Sequence, residues 1–460
     1  MTENGDKQGE LERFAQCYRC RNPFLIAKER PRPRSYNMKS WRACLFHPGL
    51  WNRLDLKLNT PQQMARAQFL ATKCAGFARE LSLEWPHDAD KVDETCRNII
   101  MRKALAVLKM AKNNRNLEKF CLKCCGCDLL GDSQEDEDII TELQYVISLI
   151  LSGAKNLKYL SFGYCVEIFD SSTIQAVAKS CGQSLHTLHA ATLYPEEQAQ
   201  SLFTHPTLQS LRQLQVLSLD FEELSNEILS VMCNNGNRAP LQNLILLQDG
   251  EPVNLPNIRD RVWHLFAASN PDAEVTLTLL RVPSGLGDYL SPSMPLGTLR
   301  ALYCGEVDRT SLDFVSRHHC KTLRSLTLCE WMDCGATYSL IPDNAMGEDP
   351  LVMLAWRCTN LTNLSIIGYE FSKDSLVAVA RLRGSQLRSL EVSVSCIVET
   401  DDDDDEEEED EDEVILDDGA MSMDTLRQQV SESLGWSWAP AMYTPDISTI
   451  LLEDLQVQGN

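Results

Sequence analysis

Cys17 and Cys20, followed by Cys44 and His47, form C-x-x-C and then C-x-x-H, a spacing that zinc sites use. The intervening residues offer no hairpin to bring the two pairs together, so no metal is expected. A second cluster, "CLKCCGC" from Cys121 to Cys127, has no histidines beside it. His318 and His319 adjoin Cys320. A thiol–imidazole nucleophile needs its base and sulfur to converge from separate positions, which sequence neighbours rarely do. The chain carries no Gly-rich phosphate loop, G-x-S-x-G elbow or H-E-x-x-H helix. Composition and motifs therefore exclude the familiar catalytic classes and call for neither enzyme activity nor cofactor.

What remains is a chain organised to hold something. It has 460 residues, 43% of them hydrophobic, with eight tryptophans, enough to build a large core. Its longest apolar run, "YVISLIL" from Tyr145, is too short to span a bilayer. The opening "MTENGDKQGELERF" lacks the apolar centre of a signal peptide. A cytoplasmic or nuclear protein is expected, its 18 cysteines reduced and acting mostly as small buried hydrophobes. The net charge of −23 argues against direct binding to nucleic acid. Much of that charge lies in "DDDDDEEEEDEDE", Asp401 to Glu413, a run that repels itself and stays solvated.

One pattern recurs: Leu, two residues, Leu, one residue, an apolar. It reads "LKYLSF" at Leu157, "LHTLHA" at Leu185, "LQVLSL" at Leu214 and "LQNLIL" at Leu241, with steps of 28, 29 and 27 residues. It returns as "LRALYC" at Leu299, "LRSLTL" at Leu323, "LTNLSI" at Leu361 and "LRSLEV" at Leu387. "LEKFCL" at Leu117, "FARELSL" at Phe77 and "EVTLTLL" around Val275 read as weaker copies. Steps of roughly 20–29 residues belong to leucine-rich repeats. Helical stretches fill the intervals, with Ser171 or Ser172, Ser225 and Ser372 expected as N-caps and Gly384 as a stop. Strand alternating with helix gives the fold class: α/β, a leucine-rich-repeat horseshoe, a solenoid of about ten units around a parallel curved sheet.

Strand alternation then separates packing from surface. In "LQVLSLD", Leu217 and Leu219 turn to the core while Val216, Ser218 and Asp220 line the open face. The equivalent set includes Tyr159, Ser161, Thr187, His189, Asn243, Ser325, Thr327, Asn363, Ser365, Ser389 and Glu391. These mixed polar positions are the candidates for the face that meets another protein.

"SWRACLFHPGLWNRLDL", near the start, resembles the closing part of an F-box: a Trp-bearing helix, a Pro-containing turn, Leu-Trp and a first strand. "EDPLVMLAWRCTNLTNLSIIGY", "LVAVARLRGSQLRSLEV" and "QQVSESLGWSWAPAM" resemble the C-terminal part of F-box proteins with leucine-rich repeats. The resemblance implies a substrate-recognition subunit of a Skp1–cullin–F-box ubiquitin ligase, partnered by Skp1, a cullin and a protein target. It implies that Trp41, Leu45, Pro48, Leu50 and Trp51 form the docking unit, mainly as core with some edge contact to Skp1. The stretch before it, "LERFAQCYRCRNPFLIAKERPRPR", lacks the family's Leu-Pro start and its first helix, which implies weakened docking. The expected domains are a leader over 1–34, a partial N-terminal helical F-box over 35–58 and repeats over 59–397. An acidic disordered insertion over 398–422 and a tail over 423–460 packing on the last repeats complete the chain. The rival reading is a non-ligase leucine-rich-repeat protein whose acidic run binds basic partners such as histones.

Overall fold

The computed structural model describes residues 46–85, 94–123, 134–165, 168–193, 201–233, 238–283, 285–305, 307–330, 338–341, 348–398, 421–441 and 446–457, the side chains of 94–96 and 134–136 aside. The expected leader, Trp41, Leu45, Cys17, Cys20, Cys44, most of the "CLKCCGC" cluster and the acidic run lie outside these residues. The chain divides between Leu50 and Trp51 into two units.

In the second unit, twelve strands pair in parallel in one sheet. They are β1 (Arg53–Lys57), β2 (Glu80–Glu84), β3 (Lys119–Lys123), β4 (Tyr159–Ser161), β5 (Thr187–His189), β6 (Val216–Asp220), β7 (Asn243–Asp249), β8 (Glu274–Leu280), β9 (Leu296–Leu302), β10 (Ser325–Cys329), β12 (Asn363–Ile367) and β14 (Ser389–Val392). Each weaker copy supplies one of them. Three short strands, β11 (Tyr338–Ser339), β13 (Tyr369–Ser372) and β15 (Ile397–Val398), form a second parallel ladder. This is the leucine-rich-repeat solenoid expected from the spacing. One boundary shifts: Arg53–Lys57, assigned above to the partial F-box, pairs with Glu80–Glu84 and so begins the sheet.

The leucines of the pattern make the core. Leu54, Leu81, Leu160, Leu188, Leu217, Leu244, Leu299, Leu326, Leu364 and Leu390 expose at most 3% of their surface. No single unit could bury them, so each strand depends on the helices and neighbours stacked on it. The helices follow local rules. Ser225 caps Asn226–Met232 by accepting from the Ile228 amide, and Ser372 caps Lys373–Arg383 by accepting from Ser375. In Ser171–Cys181 the cap is Asp170, one residue before the expected serines, because its carboxylate reaches the Thr173 amide at 2.8 Å.

A position at the helix end, three or four residues before the buried apolar residue that leads into the strand, does more than fill space. Asn114 donates to Ala75 O (2.9 Å) and Ala78 O (2.7 Å), and Asn270 donates to Met232 O (3.2 Å). His319 Nδ1 donates to Met294 O (3.1 Å), and Cys181 Sγ to Ala154 O (3.4 Å). Each side chain satisfies a buried carbonyl of the preceding repeat, which fastens unit to unit. His319 and Cys181 thus have a structural use.

Turns at the strand ends hold a left-handed residue. Gly250, Arg281, Tyr303 and Gly368 follow β7, β8, β9 and β12 with φ of 74°, 54°, 57° and 81°. At Gly368 glycine is required twice over, since a Cβ there would lie 2.7 Å from Glu330 O.

Candidate functional site: the open face of the sheet and the segment that fills it

The face of the sheet away from the helices is laid out in rows, because parallel pairing puts outward residues of successive strands side by side. One row runs Thr276, Thr298, Ser325, Asn363, Ser389. The next runs Thr278, Arg300, Thr327, Ser365, Glu391. The third changes character: Leu280, Leu302, Cys329, Ile367. Two polar rows therefore border one apolar row. The sequence reading stopped at the second row. Its missed signal was the last residue of "LTLL", "LRAL", "LTLC" and "LSII", which shares the outward phase.

The apolar row is covered by the chain's own C-terminal segment. The helix Ile447–Asp454 is capped by Asp446, which accepts from the Ser448 amide. Leu451 and Leu455 pack in one cluster with Tyr164, Ala191, Leu193, Leu247, Leu280, Leu302, Cys329 and Ile367. Ile447, Leu451, Asp454 and Leu455 share a helix face by their spacing of four, seven and eight. Asp454 is 4% exposed and accepts from Arg300 Nη1 at 2.8 Å through each carboxylate oxygen. Burial pushes the Asp454 carboxyl up, and Arg300 pulls against that shift.

At the other end of the segment, three donors collect its carbonyls. Tyr159 Oη donates to Leu455 O, Tyr164 Oη to Leu451 O (3.2 Å) and His189 Nε2 to Val457 O (3.2 Å). A carbonyl only accepts, so His189 carries its proton on Nε2. Burial lowers its pKa to about 4, with Lys119 adding to the fall, and the ring is neutral. Lys119 itself sits 4.0 Å above the Tyr159 ring.

The expected surface residues accordingly divide. Tyr159, Ser161, Thr187, His189 and Ser218 are at most 4% exposed, so none is free for a target, contrary to the expectation from alternation. Burial alternates along the strand where the face is open, as in β1, and becomes uniform in β4 and β5. Asp220 is also reassigned. Thr192 N and Oγ1 donate to its two oxygens at 2.7 and 2.6 Å, so it ties two repeat turns together. Asn243, Ser325, Thr327, Asn363 and Ser389 are partly exposed, Ser365 is nearly buried and Glu391 is open. Ser365 and Ser389 both donate to Glu391 (3.2 and 3.4 Å).

Of the docking unit, Pro48–Leu50 forms a short 3-10 turn. Leu50, expected to act mainly as core, is 48% exposed, whereas Trp51 is buried. The far tail also divides. Trp438 Nε1 donates to Leu390 O (2.9 Å), Trp436 Nε1 to Leu387 O (3.4 Å) and the Ala441 amide to Val392 O (2.7 Å). Met423–Leu434 packs on Lys373–Arg383. Residues 421–441 thus lie on the last repeat, but Ile447–Val457 lies on the middle of the sheet, because its apolar face matches the apolar row there. Among the described residues no cluster of metal ligands occurs, and no helix is long and apolar enough to cross a membrane.

Two buried histidines set an acid response. Burial lowers His319 to about 4 as well. Each ring is neutral in the fold and protonates near 6.5 when unfolded, so its share of stability is intact above pH 6.5. That share is lost as pH falls towards 4, on the order of 3 kcal/mol per ring. Asp220, pushed up to about 7 by burial, works the opposite way, its contribution falling as pH rises from the carboxylate range through 7. The histidines outweigh it. Asn occupies the position of His319 in two other repeats, so His319→Asn is expected to leave stability near neutral pH almost unchanged. Between pH 7 and 4.5 it should lose about 2 kcal/mol less than the natural chain, as read by urea denaturation at both pH values.

No known family profile matches the chain. Individual proteins do. It is 30% identical over 466 residues to F-box only protein 33 of Mus musculus, covering 90% of this chain and 80% of the relative. It is 30% identical over 473 residues to F-box only protein 33 of Homo sapiens, covering 92% and 82%. F-box/LRR-repeat protein 21 of Ovis aries is 22% identical over 232 residues, covering 49% and 45%. Among solved structures, the crystal structure of the Rad7 and Elc1 complex in yeast aligns at a TM-score of 0.43 with 14% identity, over 76% of this chain and 78% of that one. The similarity to the first two relatives covers at least nine-tenths of this chain, and the chain belongs to the F-box only protein 33 family.

Proposed function

We propose that the chain is the substrate-selecting subunit of a Skp1–cullin–F-box ubiquitin ligase. What supports this reading is that the chain belongs to an F-box family and that the open face of its repeat sheet already holds a polypeptide, its own residues 447–457. Such a subunit acts by position. It keeps a target near a loaded enzyme, raises the effective concentration of the reacting lysine, and needs no catalytic residue of its own. The rows of Thr, Ser, Asn and Arg on β9 to β14 supply directional hydrogen bonds beside an apolar strip, a combination suited to a protein target.

Skp1 would meet the segment containing Trp41, Leu45, Pro48, Leu50 and Trp51, where the exposed Leu50 offers an apolar edge. Because Leu11–Arg34 lacks the family's Leu-Pro helix start, docking should be weaker than for a complete F-box. Affinity purification of the full chain, with mass spectrometry of what co-elutes and a pull-down by purified Skp1, tests this. Skp1 and a cullin are expected among the partners. Histones alone, with no Skp1 retained at micromolar concentration, would overturn the ligase reading and favour its acidic-run rival.

A further inference from the structure

Ile447–Val457 shows what the groove is built to hold. An outward apolar row on a parallel sheet is stable only when covered, and the row Leu280, Leu302, Cys329, Ile367 is covered by Leu451 and Leu455. The second observation is polar. Tyr159 and Tyr164 from one repeat, and His189 from the next, donate to the carbonyls of Leu455, Leu451 and Val457. Leu451 lies in the helix's last turn, and Leu455 and Val457 just past its end, where carbonyls lack intrahelical partners, so these three donors recognise a helix C-terminus and its exit whatever the sequence. Arg300 then selects for a carboxylate one residue before the second apolar anchor. The third observation is conformational. Among the described residues three non-glycines have positive φ; Arg281 and Tyr303 take it in the recurring strand-end turn, while Tyr164 (65°) packs against this segment. Backbone strain of this kind persists where the surrounding structure imposes it, and it concentrates at ligand clamps.

We propose that the groove is a receptor for a short acidic amphipathic helix, that Ile447–Val457 is its resident occupant in cis, and that the selected target presents a helix of the same pattern in trans. The pattern is apolar, three residues, apolar, two residues, Asp, apolar. The word "target" rests on the ligase reading; the receptor does not. A target reaching the middle of the sheet must displace the tail, which therefore acts as a competitor built into the chain.

The test uses a fluorescein-labelled peptide, DISTILLEDLQVQGN, matching residues 446–460. It is titrated by anisotropy into the full-length chain and into the full-length double variant Leu451→Asp, Leu455→Asp, whose own tail is released. The released chain is expected to bind the peptide at least about tenfold tighter than the natural chain. Asp454→Ala in the peptide, or Arg300→Glu added to the released chain, should weaken binding by about tenfold or more. Equal binding by both chains, or binding indifferent to Asp454 and Arg300, overturns the proposal. Should the double variant fail to fold, a mass-labelled peptide is added in excess to the natural chain. Faster deuterium uptake in the chain's own residues 447–457 supports displacement, and unchanged uptake overturns it. Skp1 binding is measured on the same chains. Peptide binding without Skp1 binding upholds the groove and removes only the ligase reading.

Discussion

Reversing the charge at Arg300 is expected to release Ile447–Val457 from the sheet. Arg300 and Asp454 side chains are 12% and 5% exposed, so their pair is largely shielded from water. Removing one member of a buried pair costs about 3–5 kcal/mol, because the other charge is left without compensation. Here the chain has a cheaper escape than unfolding. Ile447–Asp454 adds no strand to the sheet, so undocking returns Asp454 to water while the sheet stays folded. Arg300→Glu should therefore expose Leu280, Leu302 and Ile367 and raise the binding of an apolar dye with little change in the main denaturation midpoint. The exchanged pair Arg300→Asp, Asp454→Arg should restore docking, giving a coupling of about 2–3 kcal/mol in a double-mutant cycle. A cycle that closes to zero would mean that the apolar anchors alone place the segment.

Trp438→Ala should produce the largest loss of global stability. Trp438 is 3% exposed and donates to Leu390 O, while Ala441 bridges to Ser393 beside the final strand. A solenoid ends in a strand whose next neighbour is missing, and its free edge must be capped. Truncating a buried tryptophan costs about 3–5 kcal/mol, and here it also opens that edge. Urea denaturation should show the loss, and size-exclusion chromatography should show edge-to-edge association. Trp438→Phe keeps most of the packing and forfeits one hydrogen bond, so a loss of about 1–2 kcal/mol is expected for it. Equal losses from both variants would place the energy in the hydrogen bond alone.

The sheet was legible because its signal is repeated. Leu157, Leu185, Leu214 and Leu241 stand at near-constant steps, and every one packs where the spacing puts it. Local caps were legible too, apart from a one-residue shift to Asp170, where the longer reach of a carboxylate prevailed over a hydroxyl. The open face was only half legible. Alternation shows which way His189 and Ser218 point, but it cannot show that a segment some 260 residues further on lies over His189. The helix that does so occurs once and has no counterpart to betray it by periodicity. Its own pattern, Asp446 followed by Ile447, Leu451, Asp454 and Leu455, could have marked it as an amphipathic helix seeking a partner. The apolar third row was visible as well, in Leu280, Leu302, Cys329 and Ile367, once outward positions are followed to the strand ends. Arg300 reading Asp454 was not, because a single charge pair between distant segments leaves no trace in spacing.

Hydrogen–deuterium exchange on the full-length chain tests the central claim most directly, that this sheet is a cradle for a polypeptide and is filled by its own tail. Leu451, Asp454 and Leu455 amides should exchange far more slowly than helix propensity alone allows for eight residues, though ahead of β4 to β10, because the segment can undock while the sheet stays folded. Uptake across 447–457 as fast as that of a free peptide, with the sheet still protected, would contradict it.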